Sequence, residues 1–403
     1  MNNTSSNQQY DLNISLVNTI GEEVVLQSEN LLTLSITESV LSLVPKFEMI
    51  INNVGGFVDR TPITDKSMLY ISITNPNKVS SSVYSNEYII NAKFIVSGFY
   101  AMSDTFENKY LTYKISGYLA LDDLFAPFHK QSFVGSSDQV LEQVCNEVNY
   151  TFDRRIRGTE SNIWYQTGNN YQFMAHVADR SFIGGDGVFV YGTTNKQLVY
   201  TSINLESSRA TAKVATYSKS QVENNFLGDD ERNMYYDGYN IMNNAEMYNN
   251  TSNYGGYYSY YNLSDYVYDT IHYDNKLTDL YNINKKYVGK PSFSVSMGLI
   301  TDESLFDTIY RGKQQNSFYR FALFSNTVLI NINNSTNVKL FDKIDLDLQS
   351  TYDGKDISSS YSGEYLVGAI TTVIARDLPI AKKVMLCRYG MNSVKNSIIG
   401  DIV

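Results

Sequence analysis

Thr327-Val-Leu-Ile-Asn-Ile332, Lys343-Ile-Asp-Leu-Asp-Leu348, Ser362-Gly-Glu-Tyr-Leu-Val367 with Ala369-Ile-Thr-Thr-Val-Ile374, and Lys383-Val-Met-Leu-Cys-Arg388 are short apolar runs near the end of the chain. Each has the length and β-branched content of a strand. A helix is expected ahead of them, from Asp302 to about Phe321. No side chain in this stretch stands in a catalytic arrangement.

The same alternation recurs in the first third. Leu12, Ile14 and Leu16, then Leu32, Leu34 and Ile36, then Phe47, Met49 and Ile51 alternate with polar neighbours. Tyr88 to Phe99 and Leu111, Tyr113 and Ile115 continue it. A period of two puts one face on a core and the other towards water or a partner. Turns fall at Asn18 to Glu22, Asn52 to Gly56 and Asn75-Pro76-Asn77. Short antiparallel strands at this spacing predict a barrel or sandwich over 1–117, completed by strands near 200–226.

Past Gly117 the pattern turns helical. Ser136 and Gln139 stand at capping-box spacing, and Val140, Leu141, Val144 and Val148 mark one helical face. A second helix is predicted from Asn170 to Phe182, burying Tyr171, Met174, Val177 and Ala178. Gly184 to Gly187 form a reverse turn, and Val188–Tyr191 with Gln197–Tyr200 form a hairpin. Residues 118–200 are therefore a small α/β module. From 227 to 290 the chain is rich in Tyr and Asn, with Tyr257-Tyr258 and Tyr260-Tyr261. It reads either as an interface insertion, because tyrosine offers large contact area at low entropic cost, or as a compositionally biased loop on one domain. Lys290-Pro291 marks the start of a last barrel over 291–403. The fold class is α+β and β-rich: two barrel-like domains, the α/β module and the Tyr/Asn-rich insertion.

Composition narrows the function. The chain has 403 residues, 43% of them hydrophobic, which suits roughly two to four folded domains. Only 18% are charged, which fits a protein covered by neighbours or, with the excess of Asn, Tyr and Ile, an AT-rich genome. The net charge is −10, and the one basic cluster, Arg154-Arg155-Ile156-Arg157, is flanked by Asp153 and Glu160. It reads as a solvated loop, so sequence-independent nucleic-acid binding has no support. Cys145 and Cys387 sit inside apolar patterns and are expected as buried free thiols. No signal peptide is visible, and no apolar run approaches the roughly 18 residues of a membrane span. Membrane insertion is not expected.

Catalytic groupings are weak. Glycosidases hold two carboxylates about 5 to 9.5 Å apart in a cleft. Asp229-Asp230-Glu231, Asp122-Asp123 and Asp345 with Asp347 supply the residue type, but in positions that suit solvated turns and a strand face. His176 with Asp179 and the distant Cys145 define no nucleophilic set, and His129, His176 and His272 lack metal spacing. Trp164 reads as core. Gly184-Gly-Asp-Gly187 lacks the lysine of a phosphate loop. No catalytic, cofactor-binding or metal residue is expected, no cofactor, and no enzyme.

The order of elements resembles the central baseplate hub proteins of contractile-tailed bacteriophages, which are related to the hub portion of type VI secretion spike proteins. Lys109-Tyr-Leu-Thr-Tyr-Lys-Ile115 resembles the last strand of a hub's first barrel. Trp164-Tyr-Gln with Tyr171-Gln-Phe-Met-Ala-His-Val-Ala-Asp179 looks like the aromatic-then-helix segment of hubs. The last barrel departs in its turns, where Asn333-Asn334 and Asp342-Lys343 stand in place of glycine, and the Tyr-rich segment has no counterpart. Asn and Asp tolerate the left-handed conformation those turns need.

The resemblance implies a homotrimer forming a pseudo-sixfold ring that joins a hexameric tail tube to a trimeric central spike. It also implies contacts with other baseplate proteins, and a place in the virion tail after assembly in the host cytoplasm. DNA and tape measure would pass through the lumen without specific binding, along a wall expected to be net negative. A tail-associated cell-wall hydrolase and a receptor-binding or adhesion protein are the alternatives.

Overall fold

The computed structural model describes residues 11–26, 29–53, 63–64, 66–74, 88–102, 112–126, 130–217, 233–243, 257–262, 267–272, 299–300, 326–333, 337–348, 361–375 and 380–388, with single positions at 56 and 58 and scattered ones from 312 to 324. The first lobe contains β1 (Asp11–Val17), β2 (Glu23–Val25), β3 (Leu31–Ser39), β4 (Lys46–Asn52), β5 (Met68–Thr74), β6 (Tyr88–Met102) and β7 (Thr112–Leu119). They pair in the order β3-β4-β7-β6-β5-β1-β2. Alternation holds along β4, where Phe47, Met49 and Ile51 are buried. It slips in β3. A register shift between Leu31 and Thr33 turns Leu31 inward and leaves Leu32, expected in the core, half-buried. One extra residue in a strand reverses the facing of those beyond it.

The module follows: β8 (Gln131–Gly135), α1 (Ser137–Glu147), β9 (Thr151–Arg154), β10 (Asn162–Gln166), α2 (Asn170–Arg180), β11 (Val188–Thr193), β12 (Gln197–Ser202) and α3 (Ile203–Ser207). Gln139 reaches back to the Ser136 N–H at 3.1 Å, as the capping spacing predicted. Asn169 caps α2, accepting from the Gln172 N–H at 2.8 Å. That helix stops at Arg180 and buries Phe173 with Met174, Val177 and Ala178, leaving Tyr171 half-buried against the core.

The second lobe is a closed barrel. β13 (Lys213–Tyr217), β14 (Asn233–Asn243), β18 (Asn326–Asn333), β19 (Lys343–Asp347), β20 (Gly363–Ala375) and β21 (Ala381–Arg388) pair in the order β19-β13-β14-β18-β21-β20, and β20 returns to β19. The strand near 200–226 expected to finish the first barrel is β13, and it belongs here, parallel to β14 and β19. The Tyr/Asn-rich stretch likewise opens with a barrel strand: Met234 and Tyr236 of β14 are fully buried. Its later part gives β15 (Tyr257–Asn262) and β16 (Val267–His272), which form a separate small sheet with β17 (Leu299–Ile300). Lys290, Pro291 and Phe293 lie outside the described residues, as does the first half of the expected Asp302–Phe321 helix. The described positions between 312 and 320 are helical.

Two cores result. Leu34, Phe47, Phe94 and Ile115 join Val140, Val144 and Trp164 in one; Val328, Ile344, Val367 and Leu386 centre the other. The β11–β12 hairpin separates them. Val188, Val190, Leu198 and Tyr200 face the first core, while Phe189, Tyr191 and Val199 face the second. Burial on both faces explains the unbroken apolar runs of these strands.

Candidate functional surfaces

The lobes are joined by main chain. β20 is long enough to serve both. Residues Gly363–Leu366 pair with β19, and Ala369–Ala375 pair with β3 of the first lobe. A bulge between Val367 and Ala369 separates the two uses. A side chain at Gly368 would meet Cys387 Sγ at 2.8 Å and the Phe324 ring at 2.9 Å, so only glycine fits there. Its carbonyl accepts the Val40 N–H at 3.0 Å, bonding the end of β3 to the bulge.

The seam is in register across the sheet. Lys383, Thr371, Thr37, Lys46, Tyr118 and Ile95 stand opposite one another in one row, from β21 through β20, β3, β4 and β7 to β6. Thr371 and Thr37 meet in the middle with their hydroxyls 3.0 Å apart. The side chains facing away from the cores on the two seam strands are small: Ala369, Thr371 and Val373 on β20, and Thr33, Ser35 and Thr37 on β3. Beyond them the free face bears Lys46, Lys93, Lys114 and Lys383, with Glu48 paired to Lys114 at 3.1 Å.

The helical residues before β18 fasten the module to the barrel. Asn316, fully buried, accepts the Val188 N–H at 2.8 Å and donates to the Ser181 carbonyl at 2.8 Å. The Tyr319 hydroxyl donates to the Gly185 carbonyl at 3.0 Å, and its ring fills the space over Gly187. Arg320 pairs with Asp179. On the other side, Phe341 stacks edge-on against Phe189 at 5.3 Å. The left-handed residue of this turn is Phe341, at φ +64°, and not Asp342 as expected. Asp342 instead accepts the Lys339 N–H at 2.8 Å. Burial of the Phe341 ring offsets a backbone cost of roughly 1–2 kcal/mol.

The sequence candidates scatter. Asp345 and Asp347 share the exposed face of β19. Asp122 and Asp123 are exposed in a turn, with Asp122 accepting from the Asn149 side chain at 2.7 Å. Asp229 to Glu231, His129 and Asn334 lie outside the described residues, and of His272 only the strand placement is described. Cys145 is on the buried face of α1, and burial pushes its thiol up. His176 sits on the outer side of α2, edge-on to Trp164 at 6.3 Å. Trp164 is core, its indole donating to the Gly135 carbonyl at 3.0 Å.

Arg154 and Arg155 are not a solvated loop. Arg154 ends β9 and pairs with Asp138 and Glu142 of α1, while Arg155 pairs with Asp153 and with Glu206 of α3. Acidic partners distant in sequence convert a basic cluster into an internal clamp. Among the described residues no three metal-ligating side chains converge. What the sequence reading missed is the seam, although the threonines and small residues of Ala369–Ala375 signalled a strand with one face free of bulk.

No protein-family model and no curated protein matches the chain. Its fold is shared with solved phage tail proteins. The prophage MuSo2 43 kDa tail protein of Shewanella oneidensis aligns over 94% of this chain and 97% of its own, with TM-score 0.50 and 13% identity. A tail protein of Neisseria meningitidis MC58 aligns over 94% and 96%, with TM-score 0.50 and 10% identity. The c3393 protein of E. coli, a component of the type VI secretion system, aligns over 90% and 74% at TM-score 0.43 and 10% identity.

Proposed function

We propose that the chain is a structural baseplate hub of a phage tail. Three copies close into a ring, and two sheet-built lobes per copy supply six positions around it. One side meets the hexameric tail tube and the other the trimeric central spike. A cyclic trimer closes through heterologous contacts, so no copy needs to match itself.

The observation that carries this reading is the β20–β3 seam. Covalent neighbours are not what hold the lobes in place. A ladder of main-chain hydrogen bonds does, in register from one lobe to the other. Such a join fixes the angle between lobes, as a rigid ring segment requires. Sharing the fold with tail proteins over 94% of the chain supports the same reading. The reading assigns residues 1–117 to the first lobe, 118–200 to the module, and β13, β14 and residues 291–403 to the second lobe. The small β15–β16–β17 sheet, from the Tyr-rich stretch, is proposed as a contact for other baseplate proteins.

The function is assembly without catalysis or cofactor, in the virion tail after assembly in the host cytoplasm. Tail contents pass through the lumen without specific binding. A net charge of −10 supports a wall that does not hold DNA. A solved ring with a strongly basic lumen would end that expectation. Native mass spectrometry of the purified chain, alone and with its spike and tube proteins, is expected to show trimers in at least one mixture. A chain that stays monomeric with both partners present sinks the proposal.

A further inference from the structure

The start of α1 meets two carboxyl groups that neither the seam nor the barrel uses. Glu160 is 4% exposed, and one of its oxygens accepts the Ser137 backbone N–H at 3.0 Å. The other oxygen is buried and no cation reaches it among the described residues, while the Ser137 hydroxyl and the Phe182 N–H are further donors to the carboxyl. A methyl group on Gly158 would stand 2.7 Å from Glu160 Oε2 and 3.1 Å from Asp138 Oδ1. Both carboxyls therefore lie against the bare backbone of Gly158.

Their surroundings differ. Asp138 pairs with Arg154 Nε at 3.0 Å and accepts the Gly158 N–H at 3.0 Å and the Ser136 hydroxyl at 2.5 Å. Glu206, just as deeply buried, is held by Arg155 and Arg209, each at 2.9 Å. Glu160 forms no ion pair among the described residues. The ionisable groups facing it are Asp138 from α1 and the phenol of Tyr200 from β12. Arg154 of β9 is committed to Asp138 and Glu142.

We propose that Glu160 is a proton-controlled latch: its neutral carboxyl closes the 155–160 loop onto the start of α1, and its ionisation loosens that contact. A buried carboxylate without a cation is costly, and protonation removes the charge while leaving an oxygen to accept from Ser137. Burial pushes the Glu160 carboxyl up from the ordinary carboxylate range, against the opposing pull of its hydrogen bonds. A carboxyl raised in the folded state adds stability that is complete below its unfolded value of about 4.3. That stability is lost as pH rises through the folded value.

Glu160→Gln keeps the shape and the acceptor for Ser137 but cannot ionise. Thermal unfolding of the full chain is expected to show wild type and variant melting together at pH 4, with the variant melting higher at pH 8. Equal melting at both pH values, or a variant that melts lower at pH 8, overturns the latch. A carboxyl-carbon NMR titration of the wild type reads the same group without substitution. Glu160 is expected to titrate above the ordinary glutamate value, and a midpoint at or below about 4.3 also overturns the proposal.

Discussion

Thr37 and Thr371, 334 positions apart in the chain, stand opposite each other on β3 and β20 with their hydroxyls 3.0 Å apart. The contact lies at the centre of the ladder that makes two lobes one sheet. Each lobe has its own core, yet neither can tilt without breaking main-chain bonds between residues 33–39 and 369–375.

A proline in that ladder tests its weight. Thr371→Pro is expected to destabilise the chain by about 3 kcal/mol or more, because a central strand has no room for the ring and loses a bond. Thr371→Val keeps the strand and removes the hydroxyl contact, and about 1 kcal/mol or less is expected. Denaturant unfolding measures both. Equal effects would mean that the seam contributes little.

Close approach makes Gly117 of β7 a stricter position. A methyl group there would lie 1.9 Å from the Ile95 carbonyl and 2.6 Å from the Phe47 ring. Gly117→Ala is expected to cost about 3 kcal/mol or more, at or beyond the upper end for overpacking. Gly184→Ala, where nothing stands within 4 Å, serves as its control and is expected within about 0.5 kcal/mol of wild type.

Leu366→Asp places a charge in the barrel core, where Leu366 is 6% exposed. Folding and ring assembly are expected to fail together, at a cost of roughly several kcal/mol. Asp347→Asn, on the exposed face of β19, is expected to leave both intact. Normal particles that lost infectivity through Asp347→Asn would argue for chemistry at that carboxylate.

His176 carries a pH signature. Packing takes water from the imidazole and Arg180 adds positive charge, which together hold it down to about 4 although part of the ring stays exposed. Unfolding restores a value near 6.5. The folded state therefore binds this proton less readily, and its contribution to stability declines as pH falls from about 6.5 towards 4. Proton NMR of the His176 ring is expected to show a midpoint near 4. A midpoint near 6.5 would contradict the packing described for α2.

Local pattern was legible where local physics decides. Strands β4, β18, β19 and β21, the capping spacing at Ser136 and Gln139, and the burial of Trp164 follow from period, cap chemistry and size. Leu31 replaced Leu32 in the core because a bulge is a pairing event, invisible in a single strand. β13 joined the second barrel because its partners β14 and β19 lie roughly 20 to 130 residues downstream, and register over such distances is set by tertiary contact. Arg154 and Arg155 were misread for the same reason, since their carboxylates on α1 and α3 are not sequence neighbours. The seam was the largest omission. Thr371 and Thr37 carry no sign that they meet.

Electron cryomicroscopy of intact particles, fitted with this chain, tests the central claim most directly. Three copies are expected around the tail axis between tube and spike, with the six lobes alternating around one ring and the β20–β3 seam intact in each copy. Density for the chain away from that axis, a copy number other than three, or lobes separated at the seam would contradict the account.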